Sequence, residues 1–536
     1  MKRDVWLLMA IFAAAMMLVD PRGDFPLDDD WDFALATWAF ARSGHFQFTP
    51  FTATSLYLQV TWGALWTLVF GESFNVLRAS TLVLAAATII VFHALLRRLP
   101  LTRGERFLAA AALIFHPIFF WSSATYMTHV PFLFLSVAAM AAFLRGIEEI
   151  CGMGSQPVRG RVAAAAGTAD GLRTRPTWIA LGALAAAASI FVRQTGVVNA
   201  IAPLVVLLAR REKKLAAIAA APLLVFAVSF PVLGHGEFGY HSLATRGAAA
   251  EVAANAGKYL FDDFSSAAIF LIPLVALAAT RIRSWWVAGT IAGVFVLRAL
   301  LFISVGFAIP KWNPLLTSEQ FFGNVFVNLG LGPPTLFDTH VLGYPLPLHL
   351  GYAARFALTM FAAVAGGVVV AVLIENWKHL AVIQIATATL LLAFSAVWFD
   401  RYALDAAWPL AFVLPLIARG SRKRVAIALL VGVAIFDVWA VRDYFRWNRA
   451  RDAAWRGLIV RGVPAEAING GVELNAMARL RGNPFPKERP QWVIRNDYVL
   501  SFRPLPSYEV VERVGPVFAL RRRPDAKWPA ATTPWR

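Results

Sequence analysis

The densest negative charge in the sequence is Asp28-Asp29-Asp30, inside "PLDDDWDFALATWAFARSGHF" (26–46). A carboxylate held at the edge of an apolar bundle can take a proton from a hydroxyl, the task of a general base. The plainer reading is a helix cap followed by a solvated turn. Asp30 precedes a helical run, Trp31 to Arg42, and is placed to cap its free N–H groups. Capping needs neither Asp28 nor Asp29. Three other groups carry chemistry of their own. In "SSATYMTHVPFLFL" (122–135), His129 can accept a proton, bind phosphate when charged or ligate a metal, or simply start a helix. In "SIFVRQTGVVN" (189–199), Arg193 and Gln194 interrupt two apolar runs. A guanidinium fork suits phosphate, and snorkelling to an interface is the alternative. In "WFDRYALDAAWPL" (398–410), Arg401 either clamps phosphate or a sugar together with Tyr402, or pairs locally with Asp400. Arg78, at the start of an apolar run, is a candidate of the same kind.

The elements that must position these groups are hydrophobic. The chain has 536 residues, of which 59% are hydrophobic and 15% charged, and a mean hydropathy of +0.60. Thirteen apolar segments, from 5–19 to 425–441, predict an all-α polytopic membrane bundle of about 13 transmembrane helices. Met1-Lys2-Arg3 precedes the first of them, and no small-x-small cleavage motif comes before Asp20, so this segment is expected to stay as a span. With the N-terminus inside, it and the inner loops hold 22 Lys/Arg, against 10 in the rest of the chain before 442. The net charge of +18 is therefore distributed for topology and not for nucleic acid. The same rule keeps 54–70 from crossing and makes it re-entrant or interfacial. All four candidate groups then face the outer side. The helix after the acidic triplet, about 18 Å long, is expected in the interface between lipid and bundle, with Trp31, Leu35 and Trp38 on one face and Phe33 and Phe40 on the other.

Outer loops are expected at 20–76, 234–265 and 310–351, the last a lid with Lys311 and His340 as contacts. A flexible inner linker is expected at 154–176. Arg298 should face the bundle, with Asp437 a conceivable partner. Cys151 is the only cysteine, so no intrachain disulfide forms. Domain organisation is read as a membrane domain, 1–441, and an outer domain, 442–536. The tail carries 18 Lys/Arg against 9 Asp/Glu. "SYEVVERV" and "VFALRRR" suggest paired strands and "INGGVELNAMARL" a Gly turn and short helix, making a small C-terminal α/β domain.

"LDDDWDFALATWAFARSGHF", the aromatic segment after it and "FGESFNVLRAST" (70–81) resemble the first outer loop of GT-C-fold glycosyltransferases. That superfamily includes dolichyl-phosphate-mannose–protein mannosyltransferases and aminoarabinose transferases. The resemblance implies a multi-pass protein of the bacterial cytoplasmic membrane that moves a sugar from a polyprenyl-phosphate carrier to a glycolipid, glycan or protein acceptor outside. Its Asp-acid-x-x-aromatic pattern falls on "DDWDF" (29–33). It implies Asp29 as general base, Asp30 in support, His129 near the centre and Asp28 as the alternative or a substrate contact. "RQ" and "DRY" at the outer junctions imply substrate-binding roles for Arg193, Gln194, Asp400, Arg401 and Tyr402, with Arg78 beside them. Relatives often have Met-Thr-Asp-Val-Pro where this chain has "MTHVP" (127–131), so no divalent metal and no other cofactor is expected. The rival readings are a transporter or lipid flippase and a non-catalytic envelope scaffold.

Overall fold

The computed structural model describes residues 2–150, 169–233, 249–308, 324–327, 329–376, 380–392, 399–418, 423–480, 485 and 495–524. Lys311, Cys151 and residues 154–168 of the expected linker lie outside them. Residues 169–176 begin a helix, Ala169–Ile190, instead of continuing a linker. Residues 249–265, expected in an outer loop, are likewise helical, within Ala249–Phe270.

Among the described residues, four helices are long and apolar enough to cross a membrane: Phe74–Leu96, His129–Ile147, Ala353–Glu375 and Arg424–Val460. Two bent pairs raise this to six, Arg103–Ile114 with Pro117–Ser123 at 62° and Tyr259–Phe270 with Ile272–Ala279 at 93°. The count of thirteen is not reproduced. Gln194–Ala209 and Ala381–Leu390 are apolar but short, and at ~1.5 Å per residue they fall below a ~30 Å hydrocarbon core, whereas the helices Ala169–Ile190 and Trp285–Ala308, with 22 and 24 residues, do not.

Helices α1 (Lys2–Val19), α2 (Asp30–Ser43), α3 (Tyr57–Phe70) and α4 (Phe74–Leu96) set the frame of the acidic loop. Helix α2 does not present one aromatic face to lipid. Trp31, Phe33 and Trp38 are all buried. Trp31 packs edge-on to Phe51 at 5.6 Å and Trp38 to Phe74 at 5.2 Å, so protein covers both sides of its first half. Helix α3 has 14 residues, about 21 Å at the helical rise, too short to span. Leu65, Leu68, Val69 and Phe70 at its far end are exposed.

Polar clasps hold this hairpin in place. The Tyr126 hydroxyl sits 3.0 Å from Thr37 Oγ1 on α2 and donates to the Gln59 carbonyl on α3 at 2.9 Å. Gln59 Nε2 returns a bond to the Tyr126 carbonyl at 3.0 Å. Next door, the Ser55 hydroxyl donates to Ile190 O, Leu58 N–H to Phe191 O and Leu56 N–H to Val192 O. These bonds tie the start of α3 to the end of Ala169–Ile190. Arg193, extended at φ −144°, follows at once.

At the end of the bundle that carries the acidic loop, helix Arg424–Val460 runs unbroken for 37 residues across position 441. The short strands β1 (Phe326–Val327) and β2 (Gly330–Leu331) pair antiparallel, and the long helix leads into the C-terminal sheet, with strands β3 (Ile468–Asn469), β4 (Tyr498–Ser501), β5 (Tyr508–Val514) and β6 (Val517–Arg522) in the order β3-β4-β6-β5. The expected pair β5–β6 is antiparallel, and the expected short helix is Val472–Leu480.

A Cβ at Gly63 would lie 2.1 Å from the Tyr126 hydroxyl and 2.9 Å from Thr37 Cγ2. Gly63→Ala is therefore expected to displace Tyr126 and destabilise the hairpin by about 1–3 kcal/mol, read as a lower melting temperature of the detergent-solubilised protein.

Candidate functional site

The acidic triplet divides into three environments. Asp28 takes a left-handed conformation, φ +51°, which non-glycine residues rarely adopt. Its carboxylate accepts from Arg401 Nη1 at 2.9 Å. Asp29 occupies the N-cap position of α2 but makes no side-chain capping bond; its carboxylate meets Arg401 Nη2 at 3.0 Å. One guanidinium thus bridges both residues, and each carboxylate takes one prong of its fork. The side chain of Asp28 is 9% exposed and that of Asp29 is 47%. Burial, reinforced by the charge of Asp29, holds the Asp28 carboxyl well above its usual range, with Arg401 opposing.

Asp30 is not the N-cap expected from the sequence. It is the first helical residue, and its carboxylate accepts from Leu27 N–H at 2.6 Å. The other oxygen lies 3.6 Å from Arg78 Nη2. Burial pushes this carboxyl up to about 7, against the pull of Arg78. Arg78 is enclosed behind the loop. It donates to the carbonyls of Gly23 and Phe25 and packs among Phe25, Phe74 and Phe445 at 5.1–5.8 Å. Its neighbours give it a structural task instead of a substrate contact.

Arg193 lies between the rings of Phe132 and Tyr402, each 5.4 Å away. Asp405 Oδ1 is 4.0 Å from its Nη1, yet that buried nitrogen has no hydrogen-bond partner. His129 begins the helix His129–Ile150, one turn before Phe132. It is buried, close enough to Arg193 and Arg401 to feel their charge, and neither ring nitrogen has a partner. Arg401, Tyr402, Arg193 and His129 therefore meet beside Asp28 and Asp29.

Other candidates stand elsewhere. Gln194 Nε2 donates to the Ala53 carbonyl at 3.2 Å, at the surface. Asp400 does not pair with Arg401 among the described contacts. It is buried and accepts the N–H groups of Val325 and Phe326 at 2.6–3.1 Å, fixing strand β1 (Phe326–Val327). The described part of the expected lid is tied down, since Asp338 accepts from Phe502 N–H and Arg503 Nε on the C-terminal sheet; His340 lies in the same turn, Phe337–Val341. Asp437 accepts no hydrogen bond, so Arg298 does not satisfy it. Among the described residues, no three His, Cys, Asp or Glu side chains converge as a metal site.

Three groups escaped sequence reasoning. Asp32 is buried and takes hydroxyls from Thr49 and Thr52 at 2.5–3.0 Å. Asp405, four residues after Arg401, was a helical-spacing signal for a charge near the site. Glu473 arrives from the helix Val472–Leu480, its carboxylate accepting Asp28 N–H at 3.1 Å; nothing local announces it.

Two similar solved structures are crystal structures of ArnT from Cupriavidus metallidurans. One is in the apo state, with 13% identity and a TM-score of 0.44. The other is bound to undecaprenyl phosphate, with 14% identity and a TM-score of 0.42. Each match covers 97% of this chain and 98% of that chain. No family model matches the chain, and no curated protein matches it.

Burial pushes the Asp32 carboxyl up to about 7 from 3.8, with the two threonine hydroxyls opposing. A carboxyl raised on folding contributes its stability in full below the unfolded value and loses it as pH climbs to the folded one. Asp32→Asn removes that contribution. The melting temperature of the variant should fall less than that of the parent between about pH 5 and about pH 8; parallel curves would contradict the assignment.

Proposed function

We propose that this chain is a membrane glycosyltransferase that passes a sugar from a polyprenyl-phosphate carrier to an acceptor hydroxyl of an envelope glycolipid, glycan or protein outside the cytoplasm. One observation carries the reading. A half-exposed carboxylate, Asp29, is fixed by Arg401 beside a second arginine, Arg193, that has a buried and unsatisfied donor.

The chemistry follows from those charges. The acceptor oxygen attacks the anomeric carbon while the bond from that carbon to the phosphate oxygen breaks. Its proton goes to Asp29, which Arg401 orients by holding one carboxylate oxygen at 3.0 Å. The electron pair of the broken bond goes to the phosphate, which changes from a diester with one negative charge to a monoester with two. Arg193, with Nη1 unpartnered, and Arg401 meet that growing charge. His129 stands at the same place as a further phosphate contact. A single displacement inverts the anomeric configuration. In this reading the arginines balance the phosphate, and the reaction uses neither metal nor other cofactor.

A transporter or flippase is the second reading. It is favoured by the 93° break between Tyr259–Phe270 and Ile272–Ala279, near buried Asp263, which accepts the Thr389 hydroxyl at 2.8 Å. Broken helices with polar groups are the transporter arrangement. A transporter moves its substrate unchanged, so covalent product separates the two.

Asp29→Asn should lower transfer by about 10²–10⁴-fold at normal expression. The check is mass spectrometry of envelope glycans and glycolipids from cells that carry only the variant, and an unchanged profile refutes the reading. Arg193→Ala should slow transfer about a hundredfold and weaken retention of a polyprenyl phosphate by the purified protein.

A further inference from the structure

We infer that Glu473 is a positioning residue for the acidic loop, so that the C-terminal domain completes the reaction centre from behind. The inference rests on the transferase reading above. Glu473 and Arg451 are both fully buried, and their ion pair closes at 2.6 Å. Every oxygen of the Glu473 carboxylate is used. Oε1 accepts the Asp28 N–H at 3.1 Å, and Oε2 accepts Arg451 Nη1 and the Thr335 hydroxyl, the latter at 2.8 Å. Arg451 Nη2 donates to the Pro26 carbonyl at 2.9 Å. The pair therefore grips the turn at both ends, Pro26 and Asp28.

That grip explains the strained backbone. In the left-handed conformation of Asp28 the N–H points into the protein, where an acceptor is obligatory. Glu473, 445 residues away in sequence, supplies it. With the turn so fixed, Asp28 and Asp29 both reach Arg401, at 2.9 and 3.0 Å. Released from Glu473, Asp28 relaxes to an ordinary conformation and the shared guanidinium cannot hold both carboxylates. A charge is also at stake. Asp28 is faced by Asp29 and Asp30 from its own loop, by Arg401, by Glu473, and by Tyr444 and Arg451 of the long helix. The negative charge of Glu473 adds to the proton affinity of Asp28.

The test uses full-length protein returned to membranes of a deletion strain, which hold the native donor and acceptor, with product followed over time by mass spectrometry across pH. Glu473→Gln keeps the shape and removes the charge. The rate plateau should fall at least about tenfold. Retention of a polyprenyl phosphate by the purified variant should not change. A plateau like the parent's overturns the inference, and so does a lower plateau accompanied by lost retention of the polyprenyl phosphate, which marks a merely structural residue. Should Glu473→Gln fail to fold, Thr335→Val, which removes one donor to Glu473 and keeps its charge, must lower the plateau; a parental rate in that variant overturns the inference equally. If Asp29→Asn also leaves product formation intact, the transferase reading itself fails. If Asp29→Asn is inactive while Glu473→Gln behaves as the parent, only the role of Glu473 is lost.

Discussion

Three carboxylates in succession repel one another, and burying two of them is tolerable only where cations are brought in from other parts of the chain. Here the cations come from three separate places. Arg78 stands on α4, Arg401 on the Asp400–Tyr402 turn and Arg451 on the long helix. Arg401 meets Asp28 and Asp29, Arg78 meets Asp30, and Arg451 meets Glu473 behind them. The backbone carbonyls of Gly23, Phe25 and Pro26 take the remaining prongs of Arg78 and Arg451. The loop Gly23–Asp30 is thus the place where early, late and C-terminal parts of the sequence must converge. Removing one partner of a buried pair leaves an uncompensated charge, which costs several kcal/mol. The same contacts join the helix Val472–Leu480 to the acidic loop.

Identical side chains in that loop acquire different properties from their surroundings. Asp30 is enclosed, bonded to Leu27 N–H and inclined to keep a proton near neutrality. Asp28 is buried with its backbone held from one side and its carboxylate from the other. Asp29 alone of the three combines solvent access with a cation in contact. A proton acceptor has to be reachable and held in orientation, and Arg401 holds the open carboxylate of Asp29.

Much of this was legible in the residues. Helix α2 follows from the run Trp31 to Arg42, and its actual bounds are Asp30–Ser43. The rejection of 54–70 as a span rested on the distribution of Lys and Arg, and α3 has only 14 residues. The strand pair β5–β6 follows from alternation in "SYEVVERV" and "VFALRRR". The illegible parts are those in which partners are far apart. Asp30 satisfied every local rule for an N-cap, but the pull of Arg401 on Asp29 and of Leu27 N–H on Asp30 redistributed the roles. Asp400 and Arg401 are adjacent and opposite in charge, which suggested a local pair. The unpaired N–H groups of Val325 and Phe326 claimed Asp400 instead. The lipid-facing side expected for α2 vanished for a related reason, since the residues that bury it lie on either side in the folded chain and not beside it in sequence. The number of spans was less legible, because a run of about 15 apolar residues serves equally well for a short buried helix as for part of a crossing.

The arginines themselves distinguish support from binding. Both terminal nitrogens of Arg78 end on carbonyls, at Gly23 and Phe25. Both terminal nitrogens of Arg451 are likewise engaged, one by Thr335 and Glu473 and the other by Pro26. Such guanidiniums have no fork left to offer. Arg193 differs, because Asp405 balances its charge from 4.0 Å while Nη1 keeps no hydrogen bond. A buried donor without a protein acceptor is a place where an anion can be bound at little further cost. The flanking rings of Phe132 and Tyr402 hold the guanidinium plane in place without consuming its donors. Beneath it, Asn199 bonds Ser136 and Ser189 and accepts from Gln384, bracing the segment that carries Arg193. Under the proposed transfer, this support orders Arg193 ahead of the phosphate, so binding need not meet that cost.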